Sequence, residues 1–195
     1  NIPKFVSWDV PLFQRIVSDL FPGIDVPYVD YGKLQDAIKE TLIENGLETV
    51  PSFVHKVIQV HETMLVRHGM MLVGECGGGK STNIKTLASA LAKLHANGVK
   101  DVDNFFRPCD LFVLNPKSVT MFEMYGVVNN MTQEWTDGLV AKLVRDAVAA
   151  TDNKRKWVVF DGPVDTLWIE SMNTVLDDNK TLCLPNGERV KIPDS

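Results

Sequence analysis

The sequence is poor in several things, and each shortage excludes a class of protein. Its longest apolar runs, such as Met70-Met71-Leu72-Val73 and Trp157-Val158-Val159-Phe160, are only four residues long. A membrane helix needs about 20, so no bilayer-spanning helix is expected. Cysteine is scarce: Cys76, Cys109 and Cys183 are an odd number without short metal-binding spacing. A chain of this length folds without disulfides, and the cysteine usage points to a reducing compartment. Positive charge is also short, and the net charge of −5 argues against a protein that grips nucleic acid through its overall field. Neither nucleic acid nor membrane is therefore an expected partner. There is no internal repeat and no low-complexity tract. The first residues, Asn1-Ile2-Pro3-Lys4-Phe5, carry no initiator Met and no apolar signal core, which reads as a cut inside a longer chain. Asn130-Met131-Thr132 fits the glycosylation tripeptide, and the cysteine usage argues that it is unused.

What is present is an ordinary globular composition, 45% apolar and 23% charged over 195 residues, enough for one sizeable core. The first 50 residues are broken by Pro3, Pro11, Pro22, Gly23, Pro27 and Gly46 and read as a linker with N-terminal helices. One helix is expected from Asp9 to Pro22, with Leu12, Phe13, Ile16, Val17 and Leu20 at helical spacing. A second runs from Asp30 to Asn45-Gly46, burying Leu34, Ile38 and Leu42. A third opens at Pro51 and places Phe53, Val54, Val57, Ile58, Met64 and Leu65 on one broad face.

From Met70 onward short apolar runs alternate with helical patterns. Strands are expected at 70–73, 111–114 and 157–160, and helices from Lys80 to His95, over 138–150 and over 165–176. Strands apolar enough to be covered on both faces, alternating with helices, predict an α/β fold around a mainly parallel sheet. Asn186-Gly187 between two β-prone runs predicts a hairpin within 182–192.

Gly74-Glu75-Cys76-Gly77-Gly78-Gly79-Lys80-Ser81 then stands between an expected strand and an expected helix, the context that gives the G-x-x-x-x-G-K-S pattern its meaning. Glycines let the backbone turn its N–H groups toward phosphate oxygens, and the helix N-terminus adds its positive dipole end. Lys80 supplies a charge for the β- and γ-phosphates, Ser81 a hydroxyl for Mg2+, and Thr82 is within reach of the α-phosphate. The ligand class is ATP or ADP with Mg2+.

The metal needs a carboxylate, and Trp157-Val158-Val159-Phe160-Asp161 delivers one at the carboxyl end of an apolar strand, where ligands of open α/β sheets bind. Asp161 is the candidate partner of Ser81. The next residue is Gly162. Where AAA+ ATPases place a glutamate to activate water, glycine can neither take nor orient a proton. Pro163 stiffens the turn against Asp165 reaching back. Little or no hydrolysis is the expectation, and no catalytic residue is assigned.

Longer stretches carry a specific resemblance: Asp9-Val10-Pro11-Leu12-Phe13, Asp19-Leu20-Phe21-Pro22-Gly23, Val66-Arg67-His68-Gly69, Asn115-Pro116-Lys117, Glu134-Trp135-Thr136-Asp137-Gly138, Phe160-Asp161-Gly162-Pro163-Val164-Asp165, and Met172 through Lys180. Over nearly its full length the chain resembles the second AAA+ module of dynein heavy chains, and the Asp-Gly-Pro-Val-Asp form is more similar to axonemal than to cytoplasmic ones. The resemblance implies a P-loop NTPase of three-layer α/β/α type, with residues 1–50 leading in and 51–195 forming part of the domain. It implies a chain that stops before the sensor I strand and the helical lid, and hence marginal stability. Its implied partners are neighbouring AAA+ modules of the same heavy chain and, through the parent, intermediate and light chains and microtubules, in the cytoskeleton of a cilium or flagellum. It carries the nucleotide-binding roles onto Gly74, Gly79, Lys80 and Ser81 and the Mg2+ role onto Ser81 and Asp161.

Competing readings remain. A stand-alone P-loop phosphotransferase would carry its loop earlier and an arginine-rich lid later; an active ATPase would need a base not evident here. His55, His61, His68 and His95 lack the spacing of a zinc site. Lys154-Arg155-Lys156 reads as a solvated turn, and Trp135 and Trp168 as packing anchors.

Overall fold

A computed structural model of the chain describes residues 2, 5, 6, 8–24, 30–100, 105–177 and 179–193. In chain order the elements are α1 (Val10–Leu20), α2 (Gly32–Glu44), α3 (Pro51–Val66), α4 (Lys80–Ala96), β1 (Cys109–Leu114), α5 (Met121–Tyr125), β2 (Gly126–Val128), β3 (Trp135–Asp137), α6 (Leu139–Ala149), β4 (Arg155–Phe160), α7 (Thr166–Glu170), α8 (Asn173–Leu176), β5 (Thr181–Cys183) and β6 (Arg189–Lys191). Prolines open α1 and α3 within the first turn, where the missing N–H has no helical partner to lose.

Apolar residues three and four apart give α2, α3 and α4 matching stripes. Leu34, Ile38 and Leu42 of α2 meet Val54 and Val57 of α3 and Leu87, Leu91 and Leu94 of α4 in one buried cluster. A second cluster gathers Met124, Tyr125, Val140, Val144, Trp168, Met172, Leu182 and Leu184. The parallel pair β1 and β4, in register from Cys109 opposite Arg155 to Leu114 opposite Phe160, lies between the two. Because successive side chains alternate across a strand, Cys109 and Trp157 face the first cluster while Leu114 and Phe160 face the second. Phe160 stacks on Trp168 with ring centroids 5.1 Å apart. The result is an α/β fold with helices on both faces of a parallel sheet. Helix α1 stands apart from both clusters: it buries no residue, and Leu12, Ile16 and Leu20 are exposed.

Four expectations change. Residues 70–73 do not form a strand: Met70 and Leu72 pack on the first cluster, Met71 and Val73 are exposed, and no strand among the described residues pairs with the segment. The apolar run has the composition of a strand, but a ladder also needs a neighbouring strand, and among the described residues β4 pairs only with β1. The helix expected over 165–176 is two short ones, α7 and α8. In a continuous helix the Met172 N–H would bond the Trp168 carbonyl; instead the Tyr125 hydroxyl donates to that carbonyl at 2.5 Å, and Met172 N–H turns to Ile169 at 2.9 Å. On α3 the buried face is Val54, Val57, Val60 and His61, while Leu65 is exposed. The segment between β1 and α6 holds α5 and the β2–β3 hairpin, which periodicity missed. Thr120 and Glu123 form a reciprocal capping box at the start of α5, a signature legible in the sequence. The predicted C-terminal hairpin is present as β5 and β6, with the Asn186 side chain accepting from Glu188 N–H at 3.0 Å in its turn.

Tyr125→Phe removes the donor and leaves the Trp168 carbonyl unsatisfied, so urea denaturation should show a loss of about 1–3 kcal/mol; an unchanged midpoint would mean that the α7–α8 break has another cause.

Candidate nucleotide-binding site

The glycine-rich loop ends at Gly79, whose φ of +77° suits glycine, and α4 begins at Lys80. A side chain at 79 would meet more than backbone strain, because its Cβ would stand 2.9 Å from the ring of Phe53 on α3. Phe53 thereby wedges the first core directly beneath the loop. Within the loop Gly78 N–H donates to the Glu75 carbonyl at 3.1 Å, and Gly77 also has a φ of +77°. The Lys80 ammonium curls over the loop and donates to the Gly74 and Glu75 carbonyls at 2.8 and 2.7 Å. Glu75 and Cys76 are exposed on the rim, and Thr82 is half-buried in the first turn of α4. That helix has no side-chain cap, so the N–H groups of its first turn face outward and its positive end stays open to an anion.

Asp161 follows β4, and its N–H continues the sheet by donating to the Leu114 carbonyl at 2.9 Å. The carboxylate is thereby carried to the start of α4, where the Ser81 hydroxyl donates to Asp161 Oδ2 at 2.6 Å across 80 residues of sequence. A hydroxyl and a carboxylate converging beside an open helix N-terminus offer hard oxygen donors of the kind Mg2+ takes, with room for phosphate and water oxygens. The residues fit the ion. No cluster of three or more His, Cys, Asp or Glu side chains that could hold a metal by themselves occurs among the described residues.

The loop after β4 is braced from β1. Lys117 pairs with Asp165 Oδ2 at 2.7 Å, while Asp165 Oδ1 accepts the Leu167 N–H at 3.1 Å and caps α7. The hydrogen bond from Lys117 is the largest influence on the Asp165 carboxyl, followed by that from Leu167, and together they hold it below the usual carboxylate range. A carboxylate stabilised in this way is a weak base, and both of its oxygens are occupied. Sequence reasoning looked at Asp165 only as a distant substitute for a missing base and did not find its partner, which lies 48 residues earlier.

Other candidates fall into structural roles. Lys154 and Lys156 both pair with Asp110, at 3.2 and 2.6 Å, and Lys156 also with Asp152 at 2.7 Å; Arg155 lies 3.7 Å over the Phe105 ring. Of the expected solvated turn, Arg155 and Lys156 instead open β4, and the lysines form a part-exposed charge network with Asp110 and Asp152 at the end of the sheet away from the loop. His61 is buried among Tyr31, Phe105 and Phe106. The three cysteines are unpaired, and burial pushes the Cys109 thiol up to about 12. An open hollow of about 500 Å³, lined by Ile43, Leu47, Glu48, Thr49, Val50 and Pro51, lies at the turn between α2 and α3.

A glycine-rich loop opening a helix, joined through Ser81 to an aspartate at the carboxyl end of a parallel strand, defines a P-loop nucleotide-binding fold. The sequence model of the AAA domain, dynein-related subfamily, matches residues 69–195, and that of the hydrolytic ATP binding site of dynein motor region matches residues 1–81. The chain belongs to the dynein-related subfamily of AAA domains. It is 54% identical over 192 residues to dynein axonemal heavy chain 6 of Homo sapiens, covering 98% of this chain and 5% of that protein. It is 46% identical to dynein axonemal heavy chain 3 of Mus musculus, again over 98% of this chain and 5% of the relative. To dynein axonemal heavy chain 1 of Homo sapiens it is 47% identical over 100% of this chain and 4% of the relative. The chain thus spans about one twentieth of the length of these relatives.

The pair Lys117–Asp165 gives a pH test. Asp165 is depressed in the folded state, so its stabilisation is present above the unfolded value, about 3.9, and is lost as pH falls through the lower folded value. Asp165→Asn should lower the melting temperature at neutral pH, and the gap to the unsubstituted chain should close below about pH 4; a gap that persists unchanged in acid would show that the charge is not its source.

Proposed function

We propose that this chain is a nucleotide-holding module of a dynein heavy chain, the second of its AAA+ modules, which binds ATP or ADP with Mg2+ and hydrolyses little of it. The observation that carries the reading is the pairing of a complete phosphate cradle with Gly162 at the position after Asp161. Loop N–H groups and the first turn of α4 would receive phosphate oxygens, and Lys80 would exchange its two loop carbonyls for phosphate charge. Ser81 and Asp161 would hold Mg2+, which when bound neutralises charge on the β- and γ-phosphates. Orienting an attacking water requires a base within hydrogen-bond reach. Gly162 offers none, and Asp165 is engaged by Lys117 and Leu167. The hollow at Leu47 and Val50 is the place proposed for the adenine ring of the nucleotide, since Pro51 on its wall lies two residues from Phe53, the floor of the loop.

The parent in this reading is an ATP-driven microtubule motor of the axonemal type, acting in a cilium or flagellum, in keeping with the names of the relatives. Its partners there are the neighbouring AAA+ modules of the same heavy chain and, through the parent, intermediate and light chains and microtubules. Residues 1–50 would lead into the module and 51–195 form part of it, with α2 already packed into the module's core. A second reading, an active ATPase, draws support from the description of the family that matches residues 1–81. That match ends at Ser81, ahead of the Asp161-Gly162 pair on which hydrolysis turns.

Lys80→Ala should weaken binding of a fluorescent ATP analogue at least tenfold, the equivalent of about 1.4 kcal/mol or more. The unsubstituted chain, given ATP and Mg2+, should release no phosphate above that variant. Phosphate release by the chain that Lys80→Ala abolishes would establish the ATPase instead.

A further inference from the structure

The turn after β1 reaches across to the residue after Asp161. A Cβ placed on Gly162 would stand 2.9 Å from Asn115 Oδ1 and 2.9 Å from Pro116 Cδ, closer than side-chain carbons approach such atoms. Neither neighbour yields easily. Asn115 Oδ1 accepts the Lys117 N–H at 3.0 Å, and the Asn115 carbonyl accepts Ser118 N–H at 3.1 Å and the Ser118 hydroxyl at 2.7 Å. Pro116 is buried, its ring rigid. Lys117 closes the turn onto the far side of the same loop through Asp165 at 2.7 Å.

We propose that the 115–118 turn is a wedge that keeps position 162 closed to any side chain, with Asn115 as its positioning residue. The inference rests on the low-hydrolysis reading above and extends it: a carboxylate at 162 is absent and also has no room while Ser81 and Asp161 stay joined. A side chain forced in must push the turn off Lys117 and Asp165, or push Asp161 off the Leu114 carbonyl and away from Ser81. Hydrolysis is withheld by the shape of a neighbouring loop as well as by one missing group, so a single substitution does not restore it.

The test is a cycle in this 195-residue chain, with the affinity for a fluorescent ATP analogue in Mg2+ and the melting temperature as readouts. Gly162→Ala alone should weaken binding about tenfold and lower the melting temperature by several degrees. Made in a background carrying Asn115→Gly and Pro116→Ala, the same substitution should cost less than about threefold. Folding of Gly162→Ala only in that background would support the wedge equally. Unchanged binding and melting for Gly162→Ala, or an equal loss in both backgrounds, would overturn it. Gly162→Glu should release no phosphate; release with an unchanged melting temperature would overturn the wedge while agreeing with a missing base. Phosphate release by the unsubstituted chain would instead contradict the low-hydrolysis reading, and the wedge would still stand or fall by the cycle.

Discussion

A single hydrogen bond, from the Ser81 hydroxyl to Asp161 Oδ2 at 2.6 Å, joins the beginning of α4 to the end of β4. Around it the molecule divides. On one side α2, α3 and α4 form a helical cluster that supports the loop from below through Phe53. On the other, β4 is fixed in register with β1 and backed by the second cluster, so that its last residue arrives at a defined height. Buried apolar surface supplies most of the driving force for both clusters, but the two are brought into one functional arrangement where the hydroxyl and the carboxylate meet. Chemistry there depends on the sheet register, because a slip of one residue would turn Asp161 to the opposite face.

The same register explains why the loops after β1 and β4 are so closely matched. Leu114 and Phe160 are opposite one another, so the residues that follow, Asn115 to Ser118 and Asp161 to Asp165, leave the sheet side by side. They meet by a backbone bond from Asp161 to Leu114, by the contact of Gly162 with Asn115 and Pro116, and by the ion pair of Lys117 with Asp165. An exposed ion pair contributes little stability by itself. Its consequence here is geometric: it engages Asp165, the first carboxylate after the glycine, and directs it toward the cap of α7.

Much of the fold was legible because its signals are local. The spacing of Leu34, Ile38 and Leu42, the prolines opening helices, and the Asn186-Gly187 turn each act within a few residues of themselves, and the corresponding elements lie where the pattern puts them. What was not legible depended on a partner distant in sequence. The segment at 70–73 has the apolar content of a strand but pairs with no strand among the described residues, and composition reports burial without reporting pairing. The break between α7 and α8 follows from the hydroxyl of Tyr125, 43 residues upstream of the carbonyl it takes. Helix α5 is a different case, since Thr120 and Glu123 announce it in the sequence to a reader who looks for caps before periodicity. At the candidate site the loop is contiguous and therefore readable, and Asp161 was found from its strand. The Lys117–Asp165 pair and the crowding at Gly162 exist only in three dimensions.

In the proposed reading this module keeps its nucleotide whole. The most direct measurement is to incubate the chain with ATP and Mg2+, remove unbound nucleotide, denature the protein and identify what it releases by mass spectrometry. Intact ATP is the predicted result. ADP accumulating from the added ATP would contradict the claim by showing turnover, and the absence of any nucleotide would contradict it by showing a cradle that holds nothing.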